Sequence, residues 1–324
     1  MSESKLIGQV GLGNMGAAVA SRLVRYGRVL GFDLGQEQRE NAARLGVEVV
    51  AGLAGIAAAE VVVLSLPSPK ASLAVAQELG QLLQPGTIVI ETSTVNPGDM
   101  RDLRAVLGPH DIRLVDAAIL SGVGGMSDGI STLLTGGAEA DLAAVEPILK
   151  AMSGRIIRFG ELGAGMAAKV INNAVAHAVF VLLAEAAALA ATSGVDVAKV
   201  MELLGDPEAG LTRPLTHRMQ ERVARARYDG GMPTDAARKD STLALALAQA
   251  NGVPLFAIQG AHTAYDLAVT AGLGRQDYAA LATLWEQWTG TSFASTDLRT
   301  ALTYGQHCRV SRHNRPLLKL ITVH

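Results

Sequence analysis

The stretch GELGAGMAAKVINN, residues 160 to 173, sets one lysine among glycine, alanine and small apolar residues, in a chain that is 49% hydrophobic and only 18% charged. Asn173 follows Lys169 by four positions, so on a helix the two share a face. A lysine lining a cleft loses hydration, which disfavours the ammonium form and lowers its pKa toward neutrality. A general acid/base acting at an alcohol or carbonyl oxygen needs that property, and Asn173 can hydrogen-bond the same oxygen or hold the amine. The same spacing suits a lysine that snorkels from a half-buried helix beside a solvated asparagine. Spacing alone does not decide between them. The glycines at 160, 163 and 165 permit close backbone approach just before the helix begins.

A second motif, GLGNMG, places Gly11, Gly13 and Gly16 in the G-x-G-x-x-G spacing, with Asn14 and Met15 between the last two. With 35 glycines in 324 residues, roughly 0.4 such matches arise by chance, so the motif counts only in its required context. That context is present: the strand-like LIGQV precedes it and a helical pattern follows. Such glycines allow a tight turn and let a pyrophosphate sit on helix N–H groups. The run RVLGFD then ends at Asp33, twenty residues after Gly13. A carboxylate there accepts hydrogen bonds from the adenosine ribose and repels a 2′-phosphate, which favours NAD. Arg39 leaves NADP open.

These groups need elements to hold them. From residue 6 to about 160, short β-branched runs alternate with helical patterns: LIGQVG, RVLGFD, VVVLSLP, TIVIETS, IRLVDAA, STLLTGG and GRIIRFG are the strand candidates. Segments such as 17–26 and 69–83 lie between them with apolar residues at helical spacing. Such alternation predicts βαβ units around a parallel sheet, which the last two strands, separated by the helix 139–152, extend. Beyond residue 165 the patterns are helical and alanine-rich, broken at Gly194, GDPEAG, DGGMP and NGVP. The first of these helices spans about 166–193, roughly 40 Å, long enough to reach from one domain into another. The expected organisation is a nucleotide-binding domain over 1–162, an all-α substrate and dimerisation domain over 163–292, and a basic, histidine-bearing tail over 293–324 with no assigned role.

Composition narrows the classes. A net charge of -2 leaves no electrostatic footprint for nucleic acid. One cysteine, Cys308, gives no disulfide framework and fits a reducing compartment. The N-terminal residues lack the pattern of a signal peptide, so the expectation is cytoplasmic. The membrane-like window at 174–191 is interrupted by His177 and Glu185, which favours a helix buried between protein surfaces over a bilayer span. His110, His177, His217 and His262 fall in no metal-ligand spacing, no metal is expected, and no nucleophilic triad signature is present. His177 either lines the cleft or is satisfied in a helix interface.

With these residues in view, the chain resembles the β-hydroxyacid dehydrogenase family, which includes 3-hydroxyisobutyrate dehydrogenase and tartronate semialdehyde reductase, over residues 5 to about 290. The family motif G-x-x-G-x-G-x-x-x-K-x-x-x-N is matched by Gly160, Gly163, Gly165, Lys169 and Asn173. The resemblance implies a Rossmann-type doubly wound α/β domain followed by an all-α domain like that of 6-phosphogluconate dehydrogenase, with Lys169 in the cleft between them. It implies that Lys169 carries proton transfer and Asn173 orients the substrate. It also places Leu66 and Pro67 along the cofactor, Thr94 near the nicotinamide end, and Lys239 as a cofactor contact with Asp240 as its structural partner.

The family's substrate segment D-A-P-V-S-G-G reads DAAILSGVGG here, from 116 to 125. Leu120 replaces the serine, Ser121 the first glycine, Gly122 keeps the second, and Ala118 replaces the proline. Ser121 and Gly122 are the expected carboxylate-binding residues, by a shifted loop or for a different substrate. Asn172 stands where related decarboxylating phosphogluconate dehydrogenases carry a histidine, and Lys169 where imine reductases lack a lysine. The implied reaction is hydride transfer between NAD, or NADP, and a small β-hydroxy acid or its semialdehyde, in a homodimer or homotetramer. Reduction of imines or non-acid carbonyls and non-catalytic dinucleotide binding are the alternatives.

Overall fold

In the computed structural model, which describes residues 5–295, the chain divides into two compact units, Met1–Val175 and Ala176–His324. From residue 296 on, the tail and Cys308 lie outside the described residues.

The first unit is built on one eight-stranded sheet. Its strands are β1 (Ile7–Val10), β2 (Val29–Phe32), β3 (Glu48–Val49), β4 (Val61–Leu64), β5 (Ile88–Glu91), β6 (Arg113–Leu120), β7 (Thr132–Gly136) and β8 (Arg155–Gly160). They lie in the order β3-β2-β1-β4-β5-β6-β7-β8. All seven strands expected from the sequence are present. The eighth, β3, is two exposed residues at the sheet edge, too short to leave a period in the sequence.

Helices α1 (Asn14–Leu23) and α6 (Glu139–Met152) cover one face, and α3 (Pro69–Leu82) and α4 (Pro97–Leu107) the other, while α2 (Gln36–Arg44) and α5 (Val123–Ser127) complete the connections. Strand β4 shows why its run is apolar throughout. Val61 and Val63 pack in the first core, Val62 and Leu64 in the second, and all four are buried. A strand covered on both faces keeps no polar alternation. Helix starts are marked by local chemistry: Ser68 accepts from the Ala71 amide ahead of α3, and Asn96 with Asp99 forms a reciprocal cap on α4, with Pro97 in its first turn.

The sheet is not wholly parallel, which corrects the sequence expectation. Strand β7 runs antiparallel to β6, with Ala118 opposite Leu134, and β8 is parallel to β7. Residues 121–131, with the five-residue helix α5 their one helix, connect β6 to β7. A parallel crossover takes about a dozen residues or more, usually with a longer helix, so a connection this short favours the antiparallel return.

Helix α7 (Ala164–Thr192) begins in the first unit and ends in the second at Gly194, whose φ of +72° closes it. The sequence expected it buried between protein surfaces. Within this chain Ile171 is 64% and Phe180 72% exposed, so the apolar side chains that its alanine-rich pattern carries are largely uncovered. It is long and apolar enough to cross a membrane, yet Glu185 in its second half is buried and accepts hydrogen bonds from the Phe256, Ala257 and Ile258 amides. Burial opposes ionisation of Glu185, but the three amides outweigh it and hold its pKa below the usual carboxylate range.

The other described elements of the second unit are helical: α8 (Val197–Gly205), a π-helical turn at Pro214–Gln220, α9 (Thr234–Asn251), α10 (Ala257–Thr270) and α11 (Ala282–Thr289). Breaks fall at Gly194, GDPEAG, DGGMP and NGVP, as read from the sequence, and a further one, at 271–277 after α10, was not expected. Asp277, fully buried, ties Arg218 and Arg222 together, each Nε at 3.3 Å.

Candidate active site

Strands β1 and β4 are neighbours, yet the chain leaves them in opposite directions across the sheet. In open α/β sheets ligands bind outside the carboxyl ends of the strands at such a switch point. The loops leaving β1 and β4 there contain Gly11 to Gly13 and Ser65 to Pro67. Together they line a groove of about 870 Å³ whose walls include Gly11, Gly13, Asn14, Met15, Gly16, Asp33, Leu66 and Pro67.

The three motif glycines answer three separate constraints. Gly11 has φ +88°, and a Cβ there would lie 2.2 Å from the Ser65 carbonyl oxygen. At Gly16 a Cβ would lie 2.0 Å from the Gly11 carbonyl oxygen. At Gly13 a Cβ would meet nothing within 4 Å, so the protein's own packing does not require that glycine. Gly13 precedes α1 and supplies no side-chain cap, which leaves the first amides of the helix for an anion. A bare helix start facing a groove beside a carboxylate suits a dinucleotide.

That carboxylate is Asp33. Its Oδ2 accepts from the Leu12 amide at 2.7 Å and its Oδ1 from the Gly35 amide at 2.8 Å. Both oxygens are thus fixed by backbone, with lone pairs remaining for ribose hydroxyls. Arg39 donates through Nη1 to the Asp33 and Leu34 carbonyl oxygens, which ties its guanidinium to the main chain of this loop.

A smaller cavity of about 250 Å³ adjoins the groove through shared walls at Met15, Ser65 and Leu66. Its other walls are Thr92, Ser93, Thr94, Ile119, Ser121 and Lys169. Lys169 is half-buried and makes no hydrogen bond or ion pair among the described residues. Burial draws its pKa below the ordinary lysine value. The Ser121 hydroxyl is buried without a partner. A free amine and a free hydroxyl therefore face one small, hydroxyl-lined space.

Two expected site residues of the first unit, Gly122 and Asn173, are not among the walls of this cavity. Gly122 is exposed and precedes α5. Asn173 is half-buried on α7, its Oδ1 accepting from Asn172 at 3.4 Å. Lys239 belongs to the second unit, on α9, where it is exposed and paired with Asp240 at 3.0 Å. His177 is exposed on α7.

The sequence reading passed over two buried acids, Glu91 and Asp116. Glu91, at the end of β5, accepts from the Ser93 amide at 2.7 Å, and the Ser93 hydroxyl accepts from the Leu66 amide at 2.7 Å. Burial pushes Glu91 up to about 7, against the Ser93 hydroxyl and amide. Asp116, within β6, accepts from the Gly163 amide at 2.6 Å and the Met166 amide at 3.0 Å. A charge inside the apolar run RLVDAAIL was the available signal, because a buried carboxylate must be partnered.

Comparison with known proteins matches both halves of the chain. Residues 6–160 match the model of the NAD binding domain of 6-phosphogluconate dehydrogenase, and residues 163–285 match that of the NAD-binding domain of NADP-dependent 3-hydroxyisobutyrate dehydrogenase. A probable mitochondrial 3-hydroxyisobutyrate dehydrogenase of Dictyostelium discoideum is 30% identical over 288 residues, covering 86% of this chain and 90% of that protein. The solved 3-hydroxyisobutyrate dehydrogenase of Mycobacterium tuberculosis with L-serine is 28% identical, with TM-score 0.62 over 86% of this chain and 99% of that one. An imine reductase from Pseudomonas sp. shares the fold, with TM-score 0.79 at 22% identity over 87% of this chain and 99% of that one.

Proposed function

Because the chain belongs to the 3-hydroxyisobutyrate dehydrogenase family, we propose that it transfers a hydride between NAD and a small β-hydroxy acid or its semialdehyde, with Lys169 as the general acid/base. The observation that supports this most is the shared cavity of Lys169, Thr94 and Ser121, which adjoins the glycine-motif groove.

When bound, the nicotinamide supplies the hydride acceptor or donor. Lys169 Nζ, neutral, takes the hydroxyl proton as the alcohol carbon is oxidised. In the reverse direction the ammonium returns that proton to the forming alkoxide. Ser121 Oγ and the Gly122 amide bind the substrate carboxylate, Asn173 orients the substrate oxygen, and Thr94 lines the nicotinamide end. Leu66 and Pro67 lie along the cofactor, with Lys239 as a further contact. Asp33 favours NAD over NADP by accepting from the ribose and repelling a 2′-phosphate.

The domain division that accompanies this reading is 1–162 for the nucleotide, 163–292 for substrate and dimerisation, and 293–324 as an added tail. The uncovered apolar side chains of α7 support a homodimer or homotetramer, and the lone cysteine supports the cytoplasm.

A second reading, reduction of an imine or a non-acid carbonyl, draws support from Leu120 standing where the family carries its carboxylate-binding serine. A panel assay at 340 nm tests both. It offers NAD and NADP with 3-hydroxyisobutyrate, glycerate and threonate, then glyoxylate, succinic semialdehyde and cyclic imines in reverse. Turnover of an acid, lost by roughly 10²–10⁴-fold in Lys169→Ala with NADH affinity retained, supports the first reading. Turnover of imines alone overturns it.

A further inference from the structure

Helix α7 has no cap of its own. The residue before it, Gly163, has φ +92° and no side chain, so the first-turn amides need an acceptor from elsewhere. Asp116 provides it from a strand 47 to 50 residues away in sequence. One carboxylate oxygen takes the Gly163 amide and the other the Met166 amide. Lys169 lies three residues past Met166, and Ser121 lies five residues past Asp116. The glycines around this contact are shaped to it. A Cβ at Gly165 would stand 2.5 Å from Asp116 Oδ2 and 2.3 Å from the Leu134 carbonyl oxygen, and one at Gly136 2.7 Å from Asp116 Oδ1.

We propose that Asp116 is the positioning residue of the reaction: by gripping the start of α7 it fixes Lys169 relative to Ser121 on its own strand's outgoing loop. The inference rests on the role proposed above for Lys169. The carboxylate is fully buried, and burial raises its pKa while the Gly163 and Met166 amides oppose that rise. The positive end of a helix favours its ionised form. Both oxygens are consumed by amides at the two ends of the first turn, so the carboxylate sets the rotation of the helix as well as its depth.

Asp116→Asn tests this, since one of its two terminal atoms becomes a donor facing another donor. Gly165→Ala serves as a second variant, pressing on the same carboxylate from the helix side. Each is compared with wild type and Lys169→Ala for turnover, NADH affinity, and the titration of Lys169 followed by NMR of labelled lysine, its signal assigned by absence in Lys169→Ala. A displaced lysine costs about 10²-fold in turnover for a shift near 1 Å. The expected signature is that loss with NADH affinity unchanged and the Lys169 titration moved up toward the ordinary lysine range.

A variant that folds and binds NADH but keeps its turnover and its Lys169 titration overturns the proposal. So does failure of both variants to fold, because the carboxylate would then serve the fold itself. If Lys169→Ala keeps full turnover, the lysine's catalytic role falls instead, and the titration shift still decides whether Asp116 positions it.

Discussion

Glu91 and Asp116 stand in register on the adjacent parallel strands β5 and β6, both 0% exposed. Register places their side chains on the same face of the sheet, and each turns to a different stretch of backbone. Glu91 holds the Ser93 loop, which reaches Leu66 beside the groove; Asp116 holds the start of the Lys169 helix. Two buried acids thus hold the backbone leading to Ser93 and to Lys169, both walls of the smaller cavity.

Glu91 makes stability depend on pH. Its folded pKa of about 7 lies above the usual carboxylate value, so the fold prefers the protonated form. That contribution is fully present below pH 4.5 and is lost as pH rises through 7, a cost of about 3 kcal/mol by pH 8. Glu91→Gln keeps the acceptor and removes the titration. Denaturant unfolding at pH 5 and pH 8.5 should show the wild type losing stability between them and the variant holding level. Parallel losses in the two proteins would refute this origin.

The motif glycines should separate binding from folding. Gly13→Ala meets no protein atom, so the unfolding midpoint should stay while NADH affinity falls about tenfold or more, near 1.4 kcal/mol. Gly16→Ala forces a methyl against the Gly11 carbonyl oxygen and should cost about 1–3 kcal/mol of stability. Thermal melts paired with fluorescence titration of NADH check both. Equal loss of stability in the two variants would contradict the assignment.

Turnover should titrate with Lys169. Oxidation needs the neutral amine, so its kcat/KM should climb with pH and level off below the ordinary lysine value of about 10.4, because burial lowers the pKa. Reduction needs the ammonium and should fall across the same range. A profile with no break below pH 10 in either direction would rule the lysine out as the proton carrier.

Glu185→Ala should loosen the second unit. It strips three amides at the start of α10 of their acceptor, at a cost of about 1–3 kcal/mol. Hydrogen exchange at residues 256–258 should quicken, while NADH affinity holds. Unchanged exchange there would refute the capping role.

Much of this was legible in the sequence, and the rest was not, for physical reasons. Strand β4 and helix α7 announced themselves because burial on two faces and an unbroken alanine-rich run leave strong patterns. Lys169 and Ser121, separated by 48 residues, were expected together and do line one cavity. The reversal of β7 was missed because strand direction leaves no period; it follows from the length of the connection. Asp116 heads the segment DAAILSGVGG, yet its role leaves no local signal, since its partners lie about fifty residues away. Composition records that α7 is apolar and not what covers it, and within this one chain Ile171 and Phe180 stay exposed.

The reversed pair β7 and β8 has a geometric outcome. Because both strands run back from the crevice, the chain leaves β8 beside Asp116, deep along β6, and α7 begins at that level. The three residues from the Met166 amide to Lys169 then act as a spacer of fixed length. One extra residue in that interval would swing the ε-amino group about 100° around the helix axis, away from Ser121, with every other side chain of the cavity still in place.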